Sequence, residues 1–260
     1  MKKILILLIA SLSIYANTIS KEKCLQNEDE FIYAGGECIN YFLEEGDREN
    51  ILTIIIHGAW KDGTNTLARY IPFAQSISMN TDITTLAIAL PGYSKSSSNN
   101  LKSLMFKDDK PKRASSKEYI VFLSELIQKL KDKYNAKTIN IIAHSAGAMM
   151  SASVSGYKPD LIQNIALAGG IYKVKDLHKN TKGAVSVNNY LNNLSKNTNY
   201  LLIYGSKDKI SKPKNSIDFY NELKKRDINV KLLEVKDFAH IDLDMSDESI
   251  DAITLMLEEK

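Results

Sequence analysis

Ser145 stands in the run Ala143-His144-Ser145-Ala146-Gly147, directly after the aliphatic, β-branched segment 139–143. A serine hydroxyl is a poor nucleophile until a neighbouring imidazole takes its proton, and a carboxylate must fix that imidazole's tautomer and stabilise its cation. The later chain offers both partners. Asp208 closes the turn Gly205-Ser206-Lys207-Asp208, and His240 ends the run Asp237-Phe238-Ala239-His240. Asp237 and Asp176 are alternative sources of the carboxylate, whereas His240 is the only histidine after the last apolar run. Serine, acid and histidine in that order could carry acyl transfer through a covalent intermediate.

The residues around Ser145 fit that chemistry. A serine lifted from a sharp strand-to-helix turn needs small residues two positions before and after it, because a larger side chain would meet neighbouring backbone. Here these are Ala143 and Gly147. The small-residue run that follows reads as a tightly packed helix, whose first N–H groups face the place where an oxyanion would form.

Elements able to hold these groups can be read from apolar patterning. Segments 31–33 and 38–43, joined through Ala34-Gly35-Gly36, read as a hairpin. Residues 51–56 form an almost purely aliphatic strand ending in His57-Gly58-Ala59-Trp60, and 83–90 another, closed by Pro91-Gly92-Tyr93. Between them, Thr64 or Asn65 caps a helix to about residue 79. After a polar loop at 94–113, Ser115 or Ser116 starts an amphipathic helix to residue 134. Further strands are expected at 162–168, 200–204 and 230–235, with helices opened by Pro213 and near Asp247. Strands alternating with helices imply an α/β fold: a mostly parallel central sheet with helices on both faces. In such sheets functional groups gather beyond the C-terminal strand ends, and His57, Ser145, Asp208 and His240 each follow one.

The chain of 260 residues suits a single α/β domain over 17–260, and its net charge of +3 gives no reason to expect a nucleic-acid partner. Lys2 and Lys3, an apolar run at 4–9 extended through Leu12, and Ser13-Ile14-Tyr15-Ala16 follow the order of a cleaved export signal at 1–16. Periplasmic or secreted protein is the expectation, with no stable membrane insertion after cleavage. Lys23 before Cys24 does not support a lipoprotein signal. In an oxidising compartment Cys24 and Cys38 are expected to pair rather than remain free thiols, a bond worth about 3 kcal/mol. The stretch 107–117, with Asp108 and Asp109 among its lysines, reads as solvated loop, as does His178. Residues 171–199 are polar and read as a cap-like excursion over the edge of the sheet.

From residue 31 to the C-terminus the sequence resembles the α/β-hydrolase family, in its elbow serine, its G-x-x-D turn and its late histidine. Pro91-Gly92-Tyr93-Ser94 resembles the family's P-G-x-G turn with serine for the last glycine, and Ala143 replaces the first elbow glycine. The resemblance implies Ser145 as nucleophile, Asp208 as orienting acid and His240 as general base. It implies oxyanion donors at the N–H groups of Ala59 and Ala146, and a substrate pocket near His57, Trp60, Tyr93 and His144. The implied activity is a cofactor-independent, metal-free esterase acting on a small-molecule ester. A peptidase or amidase on the same scaffold, taking short peptides, and a non-catalytic binding protein retaining the fold are the alternatives.

Overall fold

The computed structural model describes residues 19–60, 64–94, 115–177 and 183–258. The export signal expected at 1–16, most of the polar loop 94–113, most of the lysine-rich stretch 107–117, and His178 lie outside the described residues.

Among the described residues, eight strands form one sheet in the order β1-β2-β4-β3-β5-β6-β7-β8. β1 (Phe31–Ala34) and β2 (Glu37–Glu44) make the expected antiparallel hairpin, and β2 pairs antiparallel with β4 (Ile83–Ile88). All other pairings, through β3 (Arg48–Ile56), β5 (Thr138–His144), β6 (Asn164–Ala168), β7 (Asn199–Gly205) and β8 (Val230–Val235), are parallel. The short α1 (Lys21–Gln26) precedes the hairpin and is tied to β2 by the Cys24–Cys38 disulfide.

The aliphatic strands are buried on both sides, and their alternation divides the core in two. Ile54, Ile56, Ile141 and Leu167 face α3 (Lys117–Lys133), α4 (Ala146–Tyr157) and α6 (Pro213–Lys224). Ile55, Ile142, Ala166 and Ile203 face α2 (Thr66–Thr81) and α7 (Asp247–Glu258). Asn65 caps α2 by accepting from the Ala68 N–H at 3.2 Å, and Ser116 caps α3 by accepting from the Tyr119 N–H at 3.1 Å. At the far end of the sheet the side chains of Asn140, Asn164, Asn199 and Asn229 bond in series at 2.8–2.9 Å, which fixes the register of neighbouring strands.

Several boundaries differ from the sequence reading, β6 for instance starting at Asn164 rather than 162, and at two of them a backbone group finds another partner. β3 begins earlier, where the Arg48 N–H reaches the Asp82 carbonyl at 2.9 Å. β4 ends at Ile88 instead of residue 90, because the Leu90 N–H leaves the ladder and donates to His57 Nε2 at 3.0 Å.

The excursion after β6 carries α5 (Val174–Leu177) and two 3-10 turns, Val187–Asn189 and Leu191–Asn193. Its second half is anchored: Val187 is buried, and Tyr190 packs on Tyr157 of α4 with ring centroids 5.9 Å apart. Gly156 permits this approach, since a Cβ there would lie 2.6 Å from that of Tyr190.

Candidate active site

Ser145 joins β5 to α4 with φ 54° and ψ −117°. Every other non-glycine residue of positive φ among those described is Asn or Asp, which tolerate such backbone through their short polar side chains. A serine held there costs about 1–3 kcal/mol and persists only where its surroundings over-determine it. The determinants are visible. The Ser145 N–H donates to the Ala168 carbonyl at 2.8 Å, and its own carbonyl accepts the first α4 bond from Met149 at 3.1 Å. A Cβ at Gly147 would sit 2.3 Å from the Ile56 carbonyl oxygen, so the helix can begin this close to β3 only with glycine. Gly58 also passes close, since a Cβ there would lie 2.8 Å from Ser145 Cβ, which brings the Gly58–Ala59 segment alongside the elbow.

The structure brings Ser145, His240 and Asp208 together from three strand ends. His240 Nε2 lies 2.8 Å from Ser145 Oγ, and His240 Nδ1 lies 2.7 Å from Asp208 Oδ2. The other carboxylate oxygen accepts the N–H groups of Ile210 and Ser211, both at 2.8 Å. These three bonds fix the orientation of the carboxylate, and since it can only accept, Nδ1 carries the imidazole proton and the Nε2 lone pair faces the serine hydroxyl. That is the state a general base needs at rest. Asp208 and His240 are buried, while Ser145 is partly exposed. Gly169, with φ +59°, supports the arrangement: a Cβ there would lie 3.2 Å from the His240 ring. Its role was marked in the sequence only by a Gly-Gly pair after a strand.

The competing carboxylates lie elsewhere. Asp237 is exposed and pairs with Lys207 at 3.0 Å, and Asp176 is an exposed residue of α5.

The four residues named from sequence as pocket candidates divide by environment. His57 is buried, accepts the Leu90 N–H at Nε2 and donates from Nδ1 to the Gly58 carbonyl at 2.7 Å. Both nitrogens are committed, so it acts as a strut that ties the β4 end to the Gly58 turn. Burial holds its pKa down to about 4. Tyr93 is buried, edge-on to Tyr119 with centroids 5.7 Å apart. Trp60 is half-buried beneath the Arg69 guanidinium, 4.1 Å from its ring, and Arg69 also pairs with Asp242 in the His240 loop. His144 donates from Nε2 to the His240 carbonyl at 2.9 Å. Sequence reasoning missed Arg69 and Asp242, which are 173 positions apart.

Beyond the Asp208 turn lies an open cavity of about 480 Å³ with walls of mixed charge, among them Lys173 and Lys214, both paired with Asp218, and Asp176.

No curated protein matches the sequence significantly. Among solved structures, the chain is similar to Est1E from Butyrivibrio proteoclasticus with ferulic acid bound, at TM-score 0.62 and 16% identity, over 88% of this chain and 96% of that one. It is also similar to the Pyrococcus furiosus esterase Pf2001, at TM-score 0.66 and 18% identity, over 88% and 90% respectively. A predicted CIB-like hydrolase from Thermoplasma acidophilum aligns at TM-score 0.59 and 16% identity, over 88% and 95%. At these identities the likeness concerns the fold. The family model described as alpha/beta hydrolase fold matches residues 53–185, more than half of the chain. The chain therefore belongs to the α/β-hydrolase fold family.

Proposed function

We propose that this chain is an exported serine hydrolase that cleaves carboxylic esters through an acyl-enzyme. One observation carries the reading: Ser145 Oγ, His240 and Asp208 form a continuous hydrogen-bonded series of 2.8 and 2.7 Å with the base lone pair on the serine. In the reaction His240 Nε2 takes the Ser145 proton as Oγ bonds to the ester carbonyl carbon. The N–H groups of Ala59 and Ala146 receive the developing oxyanion, a role supported by the approach of the Gly58 turn and by the start of α4. The imidazolium returns its proton to the departing alkoxide. Water, deprotonated by the same nitrogen, then attacks the acyl carbon and frees Ser145.

The esterases among the similar structures favour esters over amides. The polar cavity beside the Asp208 turn, where Asp176, Asn215 and Asp218 stand among the lysines, favours a soluble ester over a lipid aggregate. Export is supported by the signal-like N-terminus and by the Cys24–Cys38 disulfide.

The test is incubation with a fluorophosphonate probe, followed by a panel of acyl esters and peptide amides with and without an emulsified interface. The reading expects a phosphonyl adduct on Ser145, turnover of short esters without interfacial acceleration, and an exported chain whose mass begins near Asn17. Full labelling and turnover by Ser145→Ala would refute it.

A further inference from the structure

The open cavity beyond the Asp208 turn begins at the triad itself. One wall comes from the segment after β6, through Ile171 and Lys175, and the other from the turn after β7 and the start of α6, through Ile210 and Lys212. The Ile210 N–H donates to the Asp208 carboxylate at 2.8 Å. Ile171 stands two residues after Gly169, where a Cβ would lie 3.2 Å from the His240 ring. Two residues of chain span at most about 7 Å. A substrate part that extends a few bonds past the imidazole therefore enters this cavity.

The walls carry both signs of charge, and the signs do not cancel. Asp218 accepts from Lys214 at 2.7 and 2.9 Å and faces Lys173 at 3.6 Å, so two cations share one carboxylate. The bonds from Lys214 hold the pKa of Asp218 below the usual carboxylate value. Lys175 and Lys212 have no ion-pair partner among the described residues, and Asp176 is the one other carboxylate of the lining. Four lysines against two aspartates leave the walls at +2. The first turn of α6, from Lys212 to Asn215, belongs to the wall and has no side-chain cap, so the positive end of its dipole adds to the field. Beside these cations, Ile210 is 63% exposed and Ile171 is half-buried, which supplies apolar surface.

We infer that the cavity is a subsite for the charged end of an anionic ester, with an apolar stretch of substrate on Ile171 and Ile210 and a carboxylate drawn to Lys175 and Lys212. The inference rests on the reading of Ser145 as nucleophile and names the substrate class of that site. The same chemistry receives a carboxylate on the acyl part or on the alcohol part of the ester.

The experiment separates the two with matched pairs of soluble esters. p-Nitrophenyl hydrogen adipate is compared with p-nitrophenyl hexanoate, and acetoxyphenyl-propionate with ethylphenyl acetate. In wild type, kcat/KM for at least one charged ester should exceed that of its neutral partner by about tenfold at low ionic strength, and the excess should shrink with added salt. The pair that shows the excess identifies the part of the ester that enters the cavity. Lys175→Gln combined with Lys212→Gln should bring the ratio toward one, whereas Lys175→Arg with Lys212→Arg keeps the charge and should keep the ratio. Ratios at or below one in both wild-type pairs would overturn the inference. An excess left intact by the glutamine variant, or lost equally in the arginine variant, would do the same.

If wild type neither turns over esters nor labels at Ser145, the hydrolase reading fails by itself, and binding decides the subsite. Adipate and hydroxyphenyl-propionate are then titrated onto the protein. At least one should shift the lysine ε-methylene NMR signals that are missing from the glutamine variant. No shift of those signals with either anion would overturn the subsite.

Discussion

Replacing Asp208 by Asn tests the site through a single atom. In the native chain Oδ1 accepts two backbone N–H groups at 2.8 Å each, and Oδ2 faces His240 Nδ1 at 2.7 Å. An asparagine has one acceptor oxygen. Turning its NH₂ group toward Ile210 and Ser211 would leave two N–H donors facing a donor, at about 1–3 kcal/mol for each buried group left unpaired. The amide oxygen therefore takes the Oδ1 position, and the NH₂ group points at His240. There it donates to Nδ1, which drives the imidazole proton to Nε2, where it faces Ser145 Oγ. The lone pair that should take the serine proton is gone. The expected loss in kcat is about 10³–10⁴-fold, equivalent to about 4–5.5 kcal/mol of barrier. Both backbone bonds survive, so the thermal midpoint should stay near that of wild type. The assay is steady-state hydrolysis of a soluble p-nitrophenyl ester alongside a melt of each variant, with Asp237→Asn as control. Activity of Asp208→Asn within tenfold of wild type, or a larger loss in Asp237→Asn, would refute the reasoning.

Ser145→Ala should reduce turnover and probe labelling to background while the circular dichroism spectrum is retained, and its combination with His240→Ala should be little worse than either single change. Gly147→Ala places a methyl group 2.3 Å from the Ile56 carbonyl oxygen, so α4 must shift; a stability loss of about 1–3 kcal/mol or more should appear in urea unfolding. Removing the Cys24–Cys38 bond with paired serines should cost about 3 kcal/mol in the same assay without lowering kcat, because the bond joins α1 to the far edge of the sheet. His57 has a pKa depressed to about 4 by burial, so protons bind the unfolded chain first as pH falls from about 6.5. Its contribution is whole above that pH and is lost on the way down to pH 4, amounting to about 3 kcal/mol, and urea midpoints should drop less steeply with acid in His57→Gln than in wild type.

Much of this molecule is written locally. The runs at 51–56 and 139–143 are strands because β-branched aliphatic segments of that length suit a sheet covered on both faces, and Ser116, Asn65 and Pro213 start helices through contacts within one turn. The Ser145 turn is legible for the same reason, since sterics at Ala143 and Gly147 act within two residues. Other assignments needed the assembled sheet. Asp208 and Asp237 look alike in sequence, both near a strand end and both before His240. Only the parallel register of β6, β7 and β8 turns one carboxylate to the imidazole and leaves the other in solvent beside Lys207. His57 appeared to be a pocket residue, yet the chain reversal after β4 brings the Leu90 N–H to its ring and makes it a strut. Periodicity and turn sterics depend on neighbours a few residues away, so the sequence alone determined the elements and the elbow. Which buried polar groups meet depends on strand order and loop docking, and that was decided only when the two faces of the sheet were packed.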